Sequence, residues 1–330
     1  MFLNNYAKEH HSNIRQKHFA GNSTAGISQR HIFTTFAATD NTRQAAAPHT
    51  DNSHNVMKPS DNHMSALSGT SAQPAFTMEP VGSYPFVAEP FHCDFNYQLM
   101  MGHLGNYMLN AADYHAAARR FGMIELSALN RSWVLSRLAI EMTAMPRAYD
   151  KFTIETWVES AMRFFTNRNF AVVGADGTPL GFGRSVWAMI DRTTRQPVNI
   201  LEMHEGLLGR MVCPEKLCPI DKGTRVRVGQ EALMVGELKT GYSDIDDNGH
   251  VNSIRYIEHV LDLFGIDFYH AHILRRFEVA YVAEAYAGDT LRFYREEPAT
   301  DQWAVRITKV NADDTETEVT RCALIFAPMK

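Results

Sequence analysis

The second half of this chain repeats the plan of its first half, and that limits the fold more than any other feature. The segment "LAIEMTAMPRAYDKFTIETWV" (138–158) lies against "RRFEVAYVAEAYAGDTLRFYR" (275–295), with an insertion before the second aspartate. In that register Glu141 faces Glu278 and Ala148-Tyr149 faces Ala285-Tyr286. Each block follows a stretch with helical spacing. In the first, Leu104, Tyr107, Met108, Ala111, Tyr114, Ala118 and Phe121 share a face, and Gly122 is a C-terminal stop. In the second, Ile254, Ile257, Val260, Leu261 and Phe264 do so, and Gly265 ends the helix.

Extended segments come next in both copies. "LAIEMTAM", "DKFTIETWVES", "TNRNFAVVGADG" and "GFGRSVWAMID" follow the first helix. "RRFEVAYVAEAY", "GDTLRFYREE", "QWAVRITKV" and "TEVTRCALIFA" follow the second. Asp176-Gly177 is a hairpin signal. The order predicts an α+β fold of two tandem modules, each a long helix wrapped by a curved antiparallel sheet. One module alone would leave a sheet edge open, and two can pair edge to edge. The expected boundaries are 86–191 for the first module, 192–236 for a connector containing "CPEKLCPIDKGT", and 237–330 for the second.

Residues 1–77 are rich in Asn, Ser, Thr, Ala and His without apolar periodicity, so an extension that buries little surface is expected there. Its scarcity of acids leaves an organellar transit peptide as a minor alternative. A start at Met57, Met64 or Met78 is another alternative. A net charge of -5 gives no basic excess for nucleic acid. No run of eighteen apolar residues suggests a membrane-spanning helix. Cys93, Cys213, Cys218 and Cys322 form no C-x-x-C pair and read as reduced structural thiols of a cytoplasmic protein.

"DIDDNGHVNSIR" (244–255) opens like a calcium loop, but its twelfth position is Arg255 where a bidentate Glu is needed. Asp246, Asn248 and His250 therefore need another explanation. In an extended approach to a helix they would point to one side. The free N–H groups of that helix would suit a developing negative charge. The structural alternatives are a helix cap for Asp246, a turn residue for Asn248 and a buried, satisfied histidine for His250. Against the first copy, Gly102-His103 faces Gly249-His250, and Leu99 and Met101 stand where the second copy has Asp246 and Asn248.

These residues resemble the "D-x-N-x-H-V-N-N" signature of the acyl-acyl carrier protein thioesterases, a plant and bacterial family built from two hotdog modules. Asp246, Asn248, His250, Val251 and Asn252 match it, and Ser253 takes the last place. "NRSWVLSRLAIEM" and "GFGRSVWAMIDRTTRQPV" are also similar to family segments, so the resemblance covers about residues 86–328. It implies two hotdog modules, hydrolysis of fatty acyl-carrier thioesters, no cofactor and no metal. It also implies a catalytic set of Asp246, Asn248, His250 and Glu284, the last carried over from the family's downstream acid to "EVAYVAEAY". Arg147 stands opposite Glu284 in the first copy. The cysteine that can follow the acid is Ala285 here, which favours a carboxylate with water or an attacking carboxylate over a thiol.

The implied partner is acyl carrier protein, with a monomer or homodimer and no membrane span. Arg119-Arg120, Arg225 with Arg227, and Arg275-Arg276 are candidate docking cations. An acyl-coenzyme A thioesterase and a non-catalytic acyl-binding hotdog protein are the alternatives. Met101, Met108, Trp133 and Phe165 are candidates for the pocket floor.

Overall fold

The structure, a computed structural model, describes residues 74–223 and 226–329. Nearly all of the expected N-terminal extension, residues 1–73, lies outside the described residues, as does Arg225.

The ten strands of the described residues form one antiparallel sheet. The first module contributes β1 (Val81–Val87), β2 (Arg131–Met142), β3 (Lys151–Ala161), β4 (Phe165–Gly174) and β5 (Pro179–Asp191). The second contributes β6 (Leu233–Lys239), β7 (His272–Tyr281), β8 (Thr290–Ala299), β9 (Gln302–Val310) and β10 (Glu316–Pro328). The order β1-β3-β4-β5-β2-β7-β10-β9-β8-β6 reads the same from either edge once the halves are exchanged. The modules join where β2 pairs with β7, placing Glu141 opposite Arg276 and Ala139 opposite Glu278. Arg276 is buried at this seam between Glu141 of one module and Glu278 of the other. Register shifts within β2 and β3 mark the bulges that help bend the sheet around its helices.

Each half is a hotdog module. Helix α1 (Met101–Ala117) fills the first and α3 (Ser253–Leu261) the second, and each is followed by one short helix, α2 (Met123–Ala128) or α4 (Ile266–Ala271). The long helices pack on each other. A Cβ on Gly102 would stand 2.6 Å from Glu258 Cγ, and one on Gly105 would stand 2.7 Å from Ile254 Cδ1. Glycine at these two positions is therefore what lets α1 and α3 approach. A single apolar core runs through both modules, joining Leu104 and Met108 to Ile254, Ile257 and Phe277.

Several expectations shift. A strand precedes each long helix, so the first module begins at Val81, before 86, and the second at Leu233, before 237. β1 is an edge strand carrying Gly82 and Pro85, and an edge position tolerates proline because one side of its backbone donates to nothing. Helix α1 ends at Ala117, leaving Ala118 and Phe121 beyond it, and Tyr114 faces solvent. Gly122 and Gly265 do not stop the long helices. Each is the N-cap of the short helix that follows, at φ -70° and -69° respectively. A Cβ on Gly122 would lie 2.7 Å from Ala117 Cα, so the chain reversal there requires glycine.

The connector is not a loose tether. Cys213, Cys218 and Ile220 pack on Trp157, whose indole N–H donates to Lys216 O at 2.8 Å. Ile200, Leu207, Leu208 and Met211 bury Phe121, Leu126 and Met189.

Candidate active site

The motif folds as a closed turn, in place of the expected extended approach. Ile245 and Val251 bridge, and Asp246 N donates to His250 O at 2.8 Å. Asp246 Oδ1 accepts from the backbone N–H of Asn248 (2.9 Å) and of His250 (3.1 Å). Gly249 sits at φ +80° with open space where a Cβ would be, so its requirement is conformational. Asp246 thus builds the turn that aims Asn248 and His250. Burial pushes its carboxyl above the ordinary aspartate value, against the pull of the two N–H groups. The cap of α3 is Asn252, which accepts from Ile254 N at 2.8 Å, so that N–H is not among the free ones.

Asp244 belongs to a separate arrangement. It is buried, accepts from Gly241 N at 2.8 Å, and pairs with His259 at 2.8 Å and Arg255 at 3.4 Å. Burial alone would raise its carboxyl, and the Gly241 amide and His259 hold it below the ordinary value. Arg255, the residue that spoils the calcium pattern, ties the loop to the helix through this carboxylate.

The first copy contains the same turn. Cys93 and Leu99 bridge, Asp94 Oδ1 accepts from Asn96 N (2.8 Å) and Gln98 N (3.0 Å), and Tyr97 takes Gly249's place at φ +60°. Asp94, Asn96 and Gln98 are therefore the counterparts of Asp246, Asn248 and His250. The expected match of Gly102-His103 to Gly249-His250 is wrong, as is that of Leu99 and Met101 to the acid and amide. An identical dipeptide suggested that register, but the hydrogen-bonded turn sets the true one. His103 lies on α1 with its ring stacked on His92 at 4.2 Å. Gln98 bridges Arg147 as His250 bridges Tyr286, so Arg147 is the counterpart of Tyr286, and Met145 of Glu284.

Glu284 follows the end of β7 and meets the turn. Its Oε2 lies 3.4 Å from His250 Nε2 and accepts from the Tyr286 hydroxyl at 3.2 Å. Its Oε1 is paired with Arg195. The His250 and Tyr286 rings meet edge to face at 5.2 Å. Asn248 Nδ2 reaches Asp247 at 3.3 Å, on the exposed side of the turn. Asp246, Asn248, His250 and Glu284 all line one cavity of about 120 Å³. Ser132 to Leu135 of β2, Ile190, Arg192 and Arg195 line it as well. The cavity therefore lies between the modules, and the second module supplies the acid, amide and imidazole.

Three contributors were absent from the sequence-based set. Tyr286 was paired in the sequence with Tyr149, but the bridges make Arg147 its counterpart, so the repeat gave no signal for it. Tyr256, on α3, also lines the cavity, and its buried hydroxyl makes no hydrogen bond of full geometry among the described residues. Arg195 comes from the stretch assigned to the connector. The turn-forming run "DRTTRQP" was the available signal, but nothing local says which carboxylate an arginine will meet. Of the floor candidates, Trp133 lines the cavity and bonds Phe121 O at 3.0 Å, whereas Met101 and Met108 belong to the core beneath α1.

The docking cations divide. Arg276 is buried in its ion pairs and Arg119 is buried against His115 O, so neither can meet a partner. Arg120 and Arg227 are exposed, and Arg275 is half-buried.

Two adjoining family profiles match the chain, the acyl-ACP thioesterase N-terminal domain over residues 86–205 and the C-terminal domain over 229–324. An acyl-ACP thioesterase structure from Bacteroides thetaiotaomicron is 49% identical, covering 75% of this chain and 98% of that one at a TM-score of 0.69. The 12:0-ACP thioesterase of Umbellularia californica, 19% identical with a TM-score of 0.63 over 76% of this chain and 98% of its own, shares the fold. The chloroplastic oleoyl-acyl carrier protein thioesterase 2 of Arabidopsis thaliana is 26% identical over 58% of this chain and 54% of its own length. The dodecanoyl-[acyl-carrier-protein] hydrolase of Cinnamomum camphora is 25% identical over 58% and 52%. The chain spans about half the length of the Arabidopsis and Cinnamomum relatives. On the paired profiles and the bacterial likeness, the chain belongs to the acyl-ACP thioesterase family.

Proposed function

We propose that this protein hydrolyses the thioester of fatty acyl-acyl carrier protein and releases the free fatty acid, ending chain synthesis. The observation that carries the reading is the placement of Glu284 and His250, 3.4 Å apart, on a cavity shared with Asn248 and Asp246. A thioester needs an activated water and donors for the oxygen that becomes negative. Glu284 is the base in this reading. Both of its oxygens already accept a hydrogen bond, from Arg195 and from Tyr286, which fixes the carboxylate for proton transfer and makes it a poor attacking group.

Water adds to the carbonyl carbon while Glu284 takes its proton. The tetrahedral intermediate then collapses with cleavage of the C–S bond. The proton passes from Glu284, directly or through His250, to the departing thiolate. Asn248 hydrogen-bonds the thioester, and Asp246 orients Asn248 and His250 through their backbone N–H groups.

The carrier is the proposed partner, and Arg120, Arg227 and Arg275 are the cations left to meet its acidic surface. We place the reaction in the cytoplasm, on the likeness to the bacterial relative. We propose a monomer, because the tandem already supplies the paired unit, with a homodimer as the alternative. Thiol release from acyl-carrier protein and from acyl-coenzyme A, measured with one preparation, tests the reading. Faster turnover of the carrier substrate supports it. Preference for coenzyme A would make the protein an acyl-coenzyme A thioesterase. Release from neither would leave a non-catalytic acyl-binding module.

A further inference from the structure

Arg195 reaches the cavity from outside both hotdog modules, and its position is built. Asp191, at the end of β5, accepts from Thr193 N (3.0 Å) and Thr194 N (2.8 Å) through Oδ1. Arg195 N closes the turn on Asp191 O at 2.9 Å. Arg195 itself sits at φ +57°, a conformation that costs a side-chain-bearing residue free energy and tends to persist where a site needs it. The turn aims the guanidinium at the acid of the other module. One of its nitrogens pairs with Glu284 Oε1, and the arginine lines the cavity beside Asn248 and His250.

A guanidinium has five N–H donors in a rigid plane. Among the described residues, Glu284 is the one acceptor this side chain meets, and the side chain is 19% exposed. The remaining N–H groups are left for a ligand in the cavity. They sit next to the carboxylate that would activate water, on the cavity that Asn248 also lines.

We propose that Arg195 is a catalytic residue. One nitrogen holds Glu284, and the other N–H groups donate to the carbonyl oxygen of the thioester and take up its charge in the tetrahedral intermediate. No proton leaves the arginine, and it forms no covalent bond. This inference rests on the thioesterase reading above and assigns the oxyanion donor of that site. It also gives the connector a chemical task, since the site is incomplete without the turn after β5.

The test uses the full chain, Arg195→Met and Arg195→Lys, with octanoyl-pantetheine as substrate. Both replacements keep a side chain at the same φ, so the backbone cost cancels. Loss of one oxyanion donor lowers turnover by about 100-fold or more. The Met variant should show that loss in kcat with KM and melting temperature near wild type. Lys should recover part of it. Added methylguanidinium should raise the activity of the Met variant and not that of wild type, which a merely structural arginine would not give. Full activity in the Met variant overturns the inference, and so does a loss that neither lysine nor methylguanidinium relieves. If the wild-type chain releases no thiol from any acyl thioester, the thioesterase reading itself falls. A wild type that turns over and a Met variant that matches it remove the arginine alone.

Discussion

Glu284 Oε2 lies 3.4 Å from His250 Nε2, an approach made when the segment after β7 bridges the turn before α3 at His250 and Tyr286. The acid and the imidazole come from different elements, and the same backbone bridge sets their spacing. If Glu284 is the base, Glu284→Gln should lower kcat by roughly 100-fold or more with KM little changed. Steady-state kinetics on an acyl thioester decides this, and near-normal kcat would remove Glu284 from the chemistry.

His115 on α1 should make stability depend on pH. Its ring is buried, and Arg168 and Arg119 add positive charge nearby, so its pKa is lowered from 6.5 to about 2. The folded chain keeps it neutral while the unfolded chain protonates it below pH 6.5. The unfolded state therefore binds the extra proton, and stability is lost as pH falls from about 6.5, at up to about 1.4 kcal/mol per pH unit. His115→Gln should flatten that part of a denaturation series between pH 6.5 and 4. An unchanged slope would show that other groups carry it.

The seam between the modules should be sensitive at Arg276. Replacing it with Met leaves Glu141 and Glu278 without the cation they share. Arg276 is buried but Glu141 is 41% exposed and solvent screens it, so the loss costs about 1–3 kcal/mol. Because the seam joins the two cores, a single cooperative transition at lower denaturant is expected, and a midpoint equal to wild type would contradict this.

Tyr256→Phe should behave in the opposite way. The hydroxyl is buried, and although the Ala285 backbone lies beside it, no hydrogen bond of full geometry joins them among the described residues, so its removal deletes a poorly met polar group and keeps the ring packing. A melting temperature equal to or above wild type is expected. A clear drop in chemical denaturation would mean that the hydroxyl has an acceptor in solution, such as a bound water.

The sequence by itself determined the tandem plan, eight of the strands and both long helices, because each is written in local periodicity. The Asp246–His250 turn was not read this way, because an extended approach was expected and only the bonds of Asp246 to the Asn248 and His250 amides close it. Glu284 was expected through family resemblance together with His250, whereas its contacts with Arg195 and Tyr286 were not. Whether Val81–Val87 forms a strand depends on β3 lying beside it, and its Pro85 is harmless because β1 ends the sheet. The true register of the repeat follows from the bonds of Asp94 and Asp246 to their own turns, which an identical Gly-His dipeptide outweighed on paper. The Arg276–Glu141 pair spans from one module to the other, and the Arg195–Glu284 pair joins the turn after β5 to the second module. A charged side chain has no local pattern that names its partner. Coulombic attraction acts between whatever carboxylate and guanidinium the closed sheet brings together, so only the tertiary structure could decide those pairs.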